Sequence, residues 1–83
     1  MTCTIEMSFY PLNNDYALSV VGFLQKLRNI PDIEVKTNGM STVMIAPYDK
    51  LWPAVGVLIQ EELGNNDCVF VLKVAPGRRE YVD

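Results

Sequence analysis

The dipeptide Asn38-Gly39, near the middle of the chain, constrains the fold more than any other pair of residues. Both residues tolerate positive φ, and Asn-Gly between alternating apolar runs is a strong signal for a β-hairpin. On its N-terminal side Ile33, Val35 and Thr37 alternate with Glu34, Lys36 and Asn38; on its C-terminal side Met40 to Tyr48 reads as the returning strand, ending near Pro47. A period of two is the mark of a strand with one buried face. The centre of the chain is therefore an antiparallel pair, and whatever flanks it must pack on that pair.

The flanks repeat one pattern. Thr2 to Tyr10 alternates, with Cys3, Ile5, Met7 and Phe9 on one face and Thr4, Glu6, Ser8 and Tyr10 on the other; Pro11 ends the run. Asn13-Asn14-Asp15 offers a helix N-cap, and Tyr16 to Asn29 places Ala17, Val20, Val21, Leu24, Leu27 and Arg28 at helical spacing. Arg28 in the last turn suits the helix dipole, and Pro31 stops the helix. After the hairpin, Asp49 is the next N-cap, and Leu51, Trp52, Val55, Leu58, Ile59 and Leu63 form an apolar stripe up to Gly64. Pro53 fits if it falls in the first turn or just after it. Cys68 to Ala75 is the last strand, closed by Pro76-Gly77, with a loosely held tail to Asp83.

The order is β-α-β-β-α-β. Right-handed crossovers then give an α+β sandwich, a four-stranded antiparallel sheet of order 4-1-3-2 with two helices on one face. At 83 residues it is one domain, 1–83. Hydrophobic residues make up 49% and charged residues only 20%, more apolar material than one small core needs. The surplus argues for a face buried against a second copy, as a dimer or tetramer.

Several classes are disfavoured. Net charge is −3, and the one adjacent basic pair is Arg78-Arg79; without a basic patch, nucleic-acid binding is set aside. No histidine and no CxxC argue against a mononuclear zinc site. Cys3 and Cys68 begin strands that would pair antiparallel, roughly 20 Å apart at ~3.3 Å per residue. That is beyond disulfide reach, and two free thiols fit a reducing, cytoplasmic setting. The alternating start lacks the charged n-region of a secretory signal, and no apolar run is long enough for a membrane helix. Catalysis has little to rest on: there is no histidine base, no paired nucleophile and no glycine-rich phosphate loop. The same βαββαβ order serves acylphosphatases, but the loop Pro11-Leu12-Asn13-Asn14 has no arginine to cradle a phosphate.

Helices cover one face of such a sheet. The other face carries Thr4, Glu6, Ser8 and Tyr10 on the first strand, Glu34, Lys36 and Asn38 on the second, and, with Lys73 placed outward, Val69 and Val71 on the last. Antiparallel geometry sets Ser8 and Tyr10 beside Ser41 and Thr42, with Asn38 across the hairpin, and leaves Glu6 and Lys73 free to pair near the middle. Small hydrogen-bonding side chains beside apolar ones make a plausible small-molecule pocket.

The run Lys36-Thr37-Asn38-Gly39-Met40-Ser41-Thr42, with Glu6-Met7-Ser8-Phe9-Tyr10-Pro11-Leu12 and Val71-Leu72-Lys73-Val74, resembles the thiamine/hydroxymethylpyrimidine-binding family of small ferredoxin-like proteins. The likeness runs from the first strand to Ala75. It implies a non-catalytic domain without a cofactor, binding thiamine or its pyrimidine moiety and assembled as a homo-oligomer through its sheets. The chain departs from the family at Ile45-Ala46-Pro47, where a Glu-Gly or similar pair often precedes the helix-capping acid.

The chemistry can be argued from the residues as well. An aminopyrimidine edge shows a ring-nitrogen acceptor beside an amino donor, which an asparagine matches bidentately; Asn38 is the candidate. Ser8, Ser41 and Thr42 could satisfy the remaining polar atoms, Tyr10 or Met40 could cover the ring, and Glu6 could offset a thiazolium charge. Plainer readings stand beside these. Asn38 turns the chain, Ser41 and Thr42 are strand residues, Glu6 pairs with Lys73 or Lys36, Trp52 packs in the core, and Arg78-Arg79 belongs to a solvated tail. Two further functional classes compete: a regulatory module docking a protein on the open sheet, and a small acid/base enzyme using Glu6 or Tyr10.

Overall fold

The computed structural model describes residues 1–80. The strands are β1 (Thr2–Pro11), β2 (Glu34–Thr37), β3 (Thr42–Pro47) and β4 (Cys68–Pro76), and the helices are α1 (Tyr16–Arg28) and α2 (Tyr48–Asn65). They form one sheet of order β2-β3-β1-β4, every neighbour antiparallel. This is the expected 4-1-3-2 order read from its other edge.

Register sorts the side chains into two faces. Met7 faces Thr42 on one side and Leu72 on the other; Ile5 faces Met44 and Val74; Phe9 faces Phe70. These side chains point to the helices, where Cys3, Ile5, Met7, Met44 and Ala46 join Phe23 and Leu27 of α1 and Leu51 and Val55 of α2 in the core. Each fully buried large side chain contributes about 1.5–3 kcal/mol. Phe9, Phe23 and Phe70 stack and tilt on one another at centroid distances of 4.9, 4.8 and 5.2 Å, within the favourable range for aromatic pairs.

The helix phases differ in part from the periodicity reading. On α1 the inward stripe is Val20, Phe23, Leu24 and Leu27, while Ala17 and Val21 are exposed. Val20, Leu24 and Leu27 are inward as the spacing predicts; Phe23, outside the expected stripe, completes it against Phe9 and Phe70. Within the expected Asn13-Asn14-Asp15 cap, Asp15 is the N-cap of α1 without a side-chain cap bond, and Asn13 Oδ1 accepts from the Asp15 backbone N–H at 3.0 Å. The second helix begins at Tyr48, one residue before the expected cap, so Asp49 lies in its first turn. Pro53 falls in the second turn, on the exposed side. Trp52 is outside the core, 44% exposed and stacked on Tyr48, and Leu63 is exposed as well. Glu62 is buried instead. Its carboxylate accepts from Lys26 Nζ of α1 at 3.4 Å and from Asn66 Nδ2 at 2.8 Å, the pairing a buried charge requires.

As far as Glu80 the expected loosely held tail is corrected; residues 81–83 of that tail lie outside the described residues. The segment Gly77–Glu80 is a strap fixed across the open face. Thr4 Oγ1 donates to the Gly77 carbonyl at 2.8 Å and accepts from the Arg79 N–H at 2.9 Å. Arg78 grips the Glu34 carboxylate with two nitrogens, and Lys36 donates to Glu80. The tail looks solvated in sequence because its charges are polar and terminal; their partners lie more than forty residues away. No helix among the described residues is long and apolar enough to cross a membrane.

Candidate functional site

The loop between β2 and β3 is four residues long, Asn38 to Ser41, because the last strand pair is Thr37 with Thr42. Positive φ does not form it: among the described residues only Asp32 and Gly77 have that conformation. The turn is made by the Asn38 side chain. Its Oδ1 accepts from the Met40 N–H at 2.7 Å and the Ser41 N–H at 3.0 Å, and the Asn38 N–H donates to the Ser41 carbonyl at 3.0 Å. This is an asparagine side chain standing in for a backbone carbonyl.

Under this loop lies a cleft enclosing about 80 Å³. Met7 and Phe9 of β1 form its floor, Tyr16, Val20, Phe23 and Leu24 of α1 form one wall, and the loop with Thr42 forms the other. The floor is apolar and aromatic. Polar atoms come from the loop, and no charged residue lines the cleft. Met40 stands at the mouth, 86% exposed. The volume is well below the roughly 300 Å³ at which drug-sized ligand pockets begin. It is also below the ~150 Å³ that takes up benzene. A ring could enter fully only if the unbranched Met40 or the exposed Tyr16 swung aside.

The seven residues singled out from sequence divide between the two faces of the sheet. Asn38, Met40, Ser41 and Thr42 line the cleft. Glu6, Ser8 and Tyr10 lie on the opposite face. There Glu6 and Ser8 brace the hairpin from behind: Ser8 Oγ donates to the Met40 carbonyl at 3.4 Å and Ser41 Oγ donates to Glu6 Oε2 at 3.4 Å. Glu6 also meets Lys73 at 3.6 Å, the expected pair. Tyr10 is exposed opposite Val69, away from the cleft. The parity of β1 explains the division, since its even-numbered residues face away from the helices. The cleft wall from α1 is not predicted from the sequence, where Val20 and Leu24 register only as an apolar stripe and Phe23 is not singled out. The signal available was the helical stripe Val20, Phe23, Leu24 and Leu27.

The Asn38 oxygen has both lone pairs committed to the turn, so bidentate pairing with an aminopyrimidine edge would cost the hairpin its bonds. The Nδ2 donors are what the residue can offer a ligand, and they suit a ring-nitrogen acceptor. The departure at Ile45-Ala46-Pro47 lies toward the far end of β3, where Pro47 pairs with Thr2, and none of the three lines the cleft. Burial pushes the thiols of Cys3 and Cys68 up, with Glu62 and Asp67 adding to the effect at Cys68. Both are free, and a raised thiol is a poor nucleophile at neutral pH. Among the described residues no group of three His, Cys, Asp or Glu side chains could hold a metal ion.

Neither a protein-family profile nor a curated protein matches the chain. Solved structures match its fold. A Thermotoga maritima protein, provisionally described as a thiamine biosynthesis/salvage protein, superposes with a TM-score of 0.77 at 13% identity, over 89% of this chain and 82% of that one. A Streptococcus pneumoniae protein gives 0.81 at 15% identity, over 94% and 89%. A domain of unknown function from Bacillus cereus gives 0.75 at 15%, over 100% and 83%. Identities this low establish a shared βαββαβ architecture.

Proposed function

We propose that the chain is a non-catalytic binding protein for a small aromatic heterocycle, thiamine or its hydroxymethylpyrimidine moiety, and that it self-associates through its open sheet face. The observation that carries the reading is the cleft beneath the β2–β3 loop. An aromatic and aliphatic floor faces a rim that supplies the Asn38 amide donors and the Ser41 and Thr42 region. With Met40 or Tyr16 swung aside, such a site takes a flat, neutral ring and orients it with few polar groups. The fold likeness to the Thermotoga maritima protein, with its thiamine description, supports the same class of ligand. With no charge lining the cleft, the pyrimidine ring suits its interior better than the thiazolium cation does. The exposed Val69 and Val71 support the self-association; they also favour a second reading, a module that docks another protein on this face.

Calorimetric titration with hydroxymethylpyrimidine and with thiamine tests the reading. The expected result is saturable binding near micromolar, about −8 kcal/mol. Asn38→Asp keeps the oxygen that holds the turn but removes the amide donors, and should weaken hydroxymethylpyrimidine binding about tenfold, the worth of one good hydrogen bond to a ligand. Absence of heat with both ligands on folded protein would remove the ligand-binding reading and leave the docking module.

A further inference from the structure

The strap divides the open face of the sheet. Gly77, at φ +73°, reverses the chain where β4 ends, a conformation glycine adopts without steric cost. Its N–H donates to the Thr2 carbonyl at 2.8 Å. From there the strap crosses β1 at Thr4 and reaches β2 through two latches, Arg78 on Glu34 and Glu80 on Lys36. Thr4 and Ile45 point away from the helices, yet each is only 5% exposed. The side of the face near β2 is thus covered from within the same chain. The side toward β4 is open: Val69 and Val71 are 46% and 50% exposed, beside Glu6 and Lys73, which sit opposite each other in register.

The chemistry of that open side suits a second copy. It presents one acid and one base on neighbouring strands, paired within the chain at 3.6 Å, with the Lys73 side chain 81% exposed, and flanked by valines. A two-fold axis through this patch would bring the Glu6–Lys73 pair of each copy against that of the other and would pack the valines together. A surface matched to a partner of one dominant charge would show one sign. Resting on the self-association reading above, we propose that the strap Gly77–Glu80 reserves the β2 side of the open face and directs a second copy to the β1–β4 side, where Glu6 and Lys73 pair between copies.

Sedimentation velocity of the full chain at low salt tests this, with ligand binding measured separately. Wild type is expected to be a dimer. Lys73→Glu places four carboxylates at the junction and should weaken dimerisation at least about tenfold, since like-charge contacts across an interface are strongly disfavoured; adding Glu6→Lys should restore it. Arg78→Glu with Glu80→Lys reverses both latches and frees the covered side, giving species larger than the dimer. Adding Glu34→Arg with Lys36→Glu re-forms the latches and should return the dimer. A dimer indifferent to Lys73→Glu overturns the placement. A dimer unchanged by latch reversal overturns the role of the strap. Monomeric wild type at all concentrations overturns self-association itself, and the proposal with it, while leaving the cleft reading intact.

Discussion

The Asn38 carboxamide has one oxygen and one nitrogen to divide between the hairpin and a bound molecule. The oxygen is spoken for by two backbone N–H groups. Asn38→Ala should therefore lower stability by about 1 kcal/mol, a fall in Tm of roughly 4–8 °C for a domain of this size, with or without ligand present. Asn38→Asp keeps the acceptor and should melt within about 0.5 kcal/mol of wild type. If both variants melted alike, the side chain would not be holding the turn. The importance of Asn38 was legible in the sequence, because Asn-Gly between alternating runs leaves few alternatives to a hairpin. The atomic use was not. The loop is two residues longer than the dipeptide suggests, and a side-chain acceptor replaces the positive φ. Glu6 and Ser8 show the same limit: alternation gave their face correctly, but that face is the one behind the cleft.

Between elements, the contact of α1 with α2 turns on Lys26 and Glu62. Helical spacing marked Leu63 as inward because it is apolar, yet the turn of α2 that faces α1 ends on Glu62. Lys26 on α1 and Asn66 at the C-cap of α2 make that burial tolerable. The periodicity of α2 does not carry this information, since the charged partner lies on α1. Lys26→Met leaves the carboxylate buried with Asn66 alone and should cost about 1–3 kcal/mol in urea unfolding. Lys26→Met with Glu62→Leu removes both charges and should recover most of that loss. A double variant as unstable as the single one would show that the pair is specifically stabilising. The stripe of α1 is legible only in part for a related reason: Val20, Leu24 and Leu27 do face inward, but Val21 is as apolar as Val20, and the contacts that bring Phe23 inward come from Phe9 and Phe70 on the sheet.

Across the whole molecule, element order and sheet order followed from period and handedness, which are local and general. The strap did not, because its partners are charges on distant strands. The hydrogen bond from Lys36 holds the Glu80 carboxyl below its ordinary value of 4.5, with Arg78 adding to the effect. A lowered carboxyl contributes its stabilisation fully above the unfolded value, and that contribution is lost as pH falls through the folded one. The latch should therefore hold at neutral pH and open in acid below about pH 4.5. An NMR titration of the Glu80 carboxyl carbon should show a depressed midpoint that Lys36→Met returns to the ordinary value; an ordinary midpoint in wild type would mean the latch is not formed. The pairing of β1 with β4 has a different kind of consequence. It joins Cys3 to Pro76 and Pro11 to Cys68, so the central strand of the sheet waits for the last strand to be made. Until β4 pairs, β1 keeps a bare edge and the aromatic cluster lacks Phe70. Such long-range closure slows folding and exposes apolar surface in the interim. The folding chain is thus most vulnerable to aggregation in the interval before β4 closes on β1.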